Sequence, residues 1–133
     1  MKEWFKEIEG SEAGKTFPNE AVLNALTFDA QGLIPVIAQD ADSGKVLMFA
    51  WMDKSSLQET IATGRMCYWS RSRQAYWRKG ESSGHVQQLR ELTTDCDGDV
   101  LLAKIEQTGA ACHTNRRSCF YIRIGKEEAT IID

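Results

Sequence analysis

Three of the chain's four cysteines, Cys96, Cys112 and Cys119, share one short stretch with three alternating aspartates, Asp95, Asp97 and Asp99. The cysteine spacing is C-x15-C-x6-C, with no CxxC knuckle. Three thiolates suffice for a catalytic zinc site, which takes three protein ligands and leaves the fourth position to water. Zinc lowers the pKa of such a water to about 7 and makes it a nucleophile at neutral pH. The competing reading is three unrelated buried thiols, since free cysteine is among the most buried residue types.

The aspartates suit a different ion. In an extended segment Asp95, Asp97 and Asp99 face one side and Cys96 the other, so one stretch could serve a hard cation and a soft one. Carboxylates suit magnesium or calcium, and thiolates suit zinc. A straight strand would hold Asp95 and Asp99 about 13 Å apart at about 3.3 Å per residue, too far for one ion. Gly98 is the natural place for a bend. The aspartates also fit positions 1, 3 and 5 of an EF-hand loop, but the glycine required at position 6 is Val100. That motif is rejected. The plainer alternative is a solvated acidic turn.

His113 follows Cys112 directly, and neighbours on an extended chain point apart. A supporting or general-base role fits His113 better than ligation of the same ion; a surface histidine is the alternative. His85 is a weaker candidate for the same work. A second segment, "YWSRSRQAYWRKGESSG", interleaves Arg71, Arg73, Arg78 and Lys79 with Tyr68, Trp69, Tyr76 and Trp77. Arginines bind phosphate through paired N–H groups, aromatic faces such as Trp77 stack on bases, and Ser82 and Ser83 offer hydroxyls. The mixture suits a nucleotide; a strand with one aromatic and one basic face is the alternative.

These residues need elements to position them. "LIPVIAQ" and "KVLMFAW" are apolar runs joined by "DADSG" and predict a buried hairpin. "DKSSLQETIATG" predicts a short helix capped by Asp53 or Ser55, ended by Gly64, with Leu57 and Ile61 inward. "MCYWS", "VQQLREL", "VLLAKIEQ" and "CFYIRI" predict strands, the last alternating Phe120, Ile122 and Ile124 with Tyr121 and Arg123. Ahead of them Trp4, Phe5 and Ile8 share a helical face, and Asn19 offers a cap before Val22, Leu23 and Leu26. The expected fold is α+β: one sheet-dominated, mostly antiparallel domain with short helices. Residues 1–27 form an N-terminal helical extension and 28–133 the main domain.

At 133 residues with a net charge of −3, the chain is one domain and a poor match to a general nucleic-acid or membrane-surface binder. The charged opening "MKEWFKEIEG" lacks the apolar core of a secretory signal, and no run nears the ~18 apolar residues of a membrane span. A cytoplasmic location and reduced cysteines are expected. Cys67, on an aromatic strand, reads as a buried thiol.

Taken in order, "GLIPVIAQD", "VLMFAWMD", "YWSRSR", "WRKGESSGHVQ", "DCDGD", "ACHT" and "SCFY" closely resemble the phosphoribosyl-AMP cyclohydrolases of histidine biosynthesis, from about Phe28 to Ile124. The resemblance implies a homodimer with Cys96 of one chain and Cys112 and Cys119 of the other holding zinc, and with magnesium on Asp95, Asp97 and Asp99. It implies a third pathway step in which a zinc-activated water opens the N1–C6 bond of 1-(5-phosphoribosyl)-AMP, giving the phosphoribosyl-formimino imidazole carboxamide ribotide. His113 would move the proton. Arg71, Arg73, Trp77, Lys79, Ser82, Ser83 and His85 would contact substrate, with no nucleic acid or membrane partner.

Two rivals remain at this level. A zinc-stabilised RNA- or nucleotide-binding module would use the basic aromatic face, and the acidic net charge counts against it. A nucleobase deaminase would carry H-x-E and P-C-x-x-C, but His85 is followed by Val86 and Gln87, and no CxxC exists.

Overall fold

In strand β1, Ile34–Asp40, alternate residues are buried, so Ile34, Val36 and Ala38 face the core. The strand returns through a tight loop into β2, Val46–Met52, and the two pair antiparallel from Ile34↔Met52 to Gln39↔Val46. Asp40 shapes the loop: its Oδ2 accepts from the Ser43 N–H at 2.9 Å, and its carbonyl accepts from the Gly44 N–H. The predicted hairpin is present where the apolar runs placed it.

The computed structural model describes residues 2–133. Helices α1 (Glu3–Ile8) and α2 (Asn19–Ala25) precede β1, and α3 (Lys54–Thr63) follows β2. Then come β3 (Cys67–Ser70), β4 (Ala75–Arg78), β5 (Gln87–Thr94), β6 (Leu101–Gln107), β7 (Ile122–Ile124) and β8 (Ala129–Ile131). Six strands form one mixed sheet in the order β4-β3-β2-β1-β6-β5, and β7 and β8 form a separate hairpin. The β1–β6 pairing is parallel; the others are antiparallel. The sheet curls. Arg65, just before β3, bridges Gln88 of β5, and the Met66 N–H donates to the Gln87 carbonyl.

Helix α3 begins and ends as predicted. The Asp53 carboxylate accepts from the Ser56 N–H at 2.8 Å while Ser56 Oγ accepts from the Asp53 N–H, and Gly64 closes the helix in the left-handed region. Its inner face differs from the prediction: Leu57 is fully buried, but Ile61 is exposed, and Thr60 takes the inward place instead. Helix α2 also differs. Pro18 rather than Asn19 is its cap residue, and no side chain caps it.

Tyr68, Leu47, Met52, Leu57, Leu101 and Ile105 lead the core, which α1 and α2 complete through Phe5, Ala25 and Leu26. The run after Phe120 forms a strand only over Ile122–Ile124, and its apolar side faces outward, with Ile124 86% exposed. It pairs with β8 alone, so no sheet covers it. No helix among the described residues is long and apolar enough to cross a membrane.

Candidate active site

The β5–β6 connection carries Asp95, Cys96, Asp97 and Asp99, and it is a turn rather than an extended segment. Gly98 takes the left-handed conformation, φ +70°, and bends the chain at the position expected from the sequence. Asp95 Oδ1 accepts from the Gly98 N–H at 2.9 Å and the Asp99 N–H at 3.3 Å. The turn brings one ligand atom from each of Asp95, Cys96 and Asp97 within 4.8 Å of one another. Cys96 therefore shares the carboxylates' side instead of facing away. Alternation fails here because a turn has no two-residue period.

The three carboxyls interact strongly. Hydrogen bonds to Asp99 and Asp95, then desolvation, raise the Asp97 pKa. Desolvation opposes ionisation of Asp95, but the bonds from Asp97, Asp99 and Gly98 prevail and lower its pKa. Asp97 Oδ1 is buried with no hydrogen-bond partner among the described residues. A buried, unpaired carboxylate oxygen between two more carboxylates fits a small hard cation.

The second half of the site follows β6. Main-chain bonds from Ala111 N–H to the Arg117 carbonyl and from Cys112 N–H to the Arg116 carbonyl, each 3.1 Å, fold residues 111–117 into a closed loop. The Cys119 N–H then donates to the Leu47 carbonyl at 2.7 Å, and Ser118 Oγ to the Val46 carbonyl at 2.9 Å. These bonds anchor the loop to the start of β2.

Cys112, in the loop, and Cys119, just beyond it, lie close enough for each thiol to shift the other's ionisation. Desolvation raises the Cys119 thiol to about 11, with the Cys112 charge adding to it and Lys79 opposing. Cys112 goes the other way. Desolvation is outweighed there by the Thr114 hydroxyl, which donates to its sulfur at 3.0 Å, by the Thr114 N–H, by the Cys119 thiol and by Arg116. The two thiols thus shift in opposite directions, Cys112 downward and Cys119 upward. A soft, partly desolvated sulfur pair of this kind suits zinc.

Lys79 stands over the loop. Its ammonium donates to the Ala111 carbonyl at 2.7 Å and lies 4.8 Å from the centre of the Trp77 ring. Desolvation lowers its pKa, against the pull of Cys119 and Cys112. His85 packs against Gly109, where a Cβ on the glycine would meet its Cδ2 at 2.6 Å. His113 is exposed beside buried Cys112, in a turn rather than an extended segment.

A buried polar chain supports this end. The Tyr68 hydroxyl donates to Gln87 Oε1 at 2.6 Å, and Gln87 Nε2 donates to Gln107 Oε1 at 2.7 Å. Gln107 Nε2 in turn reaches the carbonyls of Thr108 at 2.9 Å and His85 at 3.2 Å. Neither glutamine was singled out in the sequence, although Gln107 falls on the same parity as buried Leu101, Ala103 and Ile105. Thr114 was missed as well; its signal was a hydroxyl two residues beyond a candidate ligand.

The three thiols do not meet within one chain. Cys96 precedes β6 and Cys112 follows it, and seven extended residues span about 20 Å at about 3.3 Å each. Among the described residues, Cys96 groups only with Asp95 and Asp97. The remaining candidates divide similarly. Arg71 stacks over Trp51 at 4.5 Å, near the β3–β4 turn. Arg73, Trp77, Gly80, Ser82 and Ser83 line a polar hollow of about 270 Å³. Cys67 lies apart, buried against Glu59 and Arg78, its thiol raised to about 12 chiefly by desolvation.

The chain is similar to proteins that share one name. A family model described as phosphoribosyl-AMP cyclohydrolase matches residues 48–121. The phosphoribosyl-AMP cyclohydrolase of Hydrogenovibrio crunogenus is 56% identical over 128 residues, 96% of this chain and 87% of that protein. That of Alkalilimnicola ehrlichii is 57% identical over 128 residues, 96% and 90% of the two chains. That of Cereibacter sphaeroides reaches 62% over 108 residues, 81% and 91%. The ordered motifs, the paired thiols and the acidic turn thus stand in a chain that belongs to the phosphoribosyl-AMP cyclohydrolase family of hydrolases.

Proposed function

We propose that this protein hydrolyses the N1–C6 bond of the adenine ring of 1-(5-phosphoribosyl)-AMP, a step of histidine biosynthesis, and that it does so as a homodimer. The product is the phosphoribosyl-formimino imidazole carboxamide ribotide. Cys112 and Cys119 of one chain and Cys96 of the other hold zinc; Asp95, Asp97 and Asp99 hold magnesium. One observation carries the reading: the thiols lie at opposite ends of β6, so a three-thiol site needs a second copy.

Alkylation at N1 drains electrons from the adenine ring and leaves C6 open to attack by water. Zinc supplies a Lewis acid that brings the pKa of a coordinated water to about 7. The chain's own residues do the rest. His113, exposed beside Cys112, takes the proton of the attacking water and returns one to N1 as the N1–C6 bond breaks. Arg73, Ser82 and Ser83 receive a phosphate in the polar hollow with Trp77 beside it, and Arg71 and His85 complete the substrate contacts. Lys79, committed to the thiol loop, offsets the net negative charge of three thiolates on a divalent ion.

The test is direct. Protein incubated with phosphoribosyl-AMP and magnesium is followed by mass spectrometry with and without a zinc-stripping chelator. A product heavier by one water, lost on chelation and restored by zinc, is the expected result. Intact substrate in zinc-replete protein would refute the reading.

A further inference from the structure

Gly98, at the bend of the acidic turn, is committed on three sides. Its N–H donates to Asp95 Oδ1 at 2.9 Å, and its carbonyl accepts from the Thr27 N–H at 2.8 Å. The space where a Cβ would stand is filled by the ring of Phe5, with Cζ 2.2 Å and Cε2 2.4 Å from that position. Phe5 belongs to α1, more than ninety positions earlier in the chain and outside the residues matched by the family model. It is only 4% exposed.

The ring itself is held. Trp4 meets it edge-on at 5.1 Å, and Phe17 meets Trp4 at 5.4 Å. Lys2 Nζ donates to the Leu26 carbonyl at 2.7 Å, which ties the start of α1 to the end of α2. The same aromatic group walls a cavity of about 370 Å³ that opens beside Asp95 and Cys96.

The geometry points to α1 as a clamp on the acidic turn, with Phe5 as a positioning residue for the cation that the turn binds. The inference rests on the reading that Asp95, Asp97 and Asp99 hold a divalent ion. A glycine free of neighbours samples both signs of φ, and only one of them folds the aspartates together. With the ring in place that choice is made before the cation arrives. Without it the cation must order the turn, and the cost appears as lost affinity.

Manganese, which takes the same oxygen ligands and is visible by electron paramagnetic resonance, serves as the probe in full-length, zinc-loaded protein. Phe5→Ala should weaken manganese binding about tenfold, the scale of supporting contacts around metal ligands, with zinc content unchanged. Phe5→Leu, which keeps an apolar side chain over Gly98, should lose less. Leu57→Ala, a core truncation on α3, controls for general loosening and should bind manganese as the unaltered protein does. Wild-type affinity in Phe5→Ala would overturn the clamp, and so would an equal loss in Leu57→Ala. If Phe5→Ala does not fold, Phe5→Leu decides: weakened binding supports the clamp and unchanged binding overturns it. If the unaltered protein binds no manganese, or Asp97→Asn binds it equally well, the cation site fails and the clamp fails with it. That outcome differs from a working site indifferent to Phe5.

Discussion

The thiol loop and the acidic turn flank the same strand, β6, yet they are held by opposite means. The loop is closed by its own main chain and fastened to β2 by the Cys119 and Ser118 bonds. Behind it stands the Tyr68–Gln87–Gln107 chain, buried in the curled end of the sheet. The turn lacks a buried polar chain of this kind. Its internal braces are the Asp95 carboxylate and carbonyl, which accept from Gly98 and Asp99, and Thr94 Oγ1, which donates to the Val100 carbonyl at 2.9 Å; outer support comes from Phe5 and Thr27 in the N-terminal segment. The two halves also differ in charge: sulfur beside a lysine at one end, three mutually interacting carboxyls at the other. In the proposed site, halves built so differently would let a soft metal and a hard one be tuned separately.

The largest effect should come from the thiol loop. Cys112→Ala is expected to lower turnover at least 1,000-fold, on the order of losing a bound metal's chemistry, and to remove zinc with it. A zinc-free variant of full activity would break the division of labour proposed for the two halves. His113→Ala should cost about 100-fold to 10,000-fold in rate, as for a general acid–base group, while zinc content holds. Equal losses of zinc and rate would make His113 structural instead.

Smaller effects probe how each half is supported. In the turn, Gly98→Ala would force an L side chain to positive φ against the Phe5 ring. A loss of about 1–3 kcal/mol is expected by chemical denaturation; an unchanged midpoint would show that the turn is not held in this form. The loop end is tied to β1 through Asp40, which Arg117 approaches to 3.5 Å. Bonds from Ser43 hold the Asp40 pKa below the ordinary 3.8, against desolvation and with help from Arg117. That contribution is present above the ordinary value and is lost as pH falls through the lowered one. Asp40→Asn should therefore melt up to roughly 4 °C lower at neutral pH, with the gap closing below pH 3.8. A gap that persists in acid would contradict the assignment.

How much of this was legible in the sequence depended on how local each feature is. The β1–β2 hairpin, the limits of α3 and the presence of strand β6 come from neighbouring residues, and each was read from them. The Gly98 bend was legible because glycine tolerates the sharp turn that three aspartates sharing one ion would need. The direction of Cys96 was not, since it follows from a turn that replaces strand geometry. Ile61 was misplaced because Thr60, bonded to Ser56 and Cys67, fills the inner face. The contact of Phe5 with Gly98 and the Gln87–Gln107 pair join distant parts of the chain, and no local pattern announces either.

In the proposed dimer neither chain holds a whole site, and mixing two broken chains tests this. Cys96→Ala and Cys112→Ala proteins, each inactive alone, are combined under conditions that exchange subunits, and zinc and turnover are measured. Random exchange makes half of the dimers mixed, each with one intact site of two, so activity should return to about a quarter of the unaltered protein's. Should the mixture stay inactive while subunit exchange is verified, the three thiols do not form one site between chains.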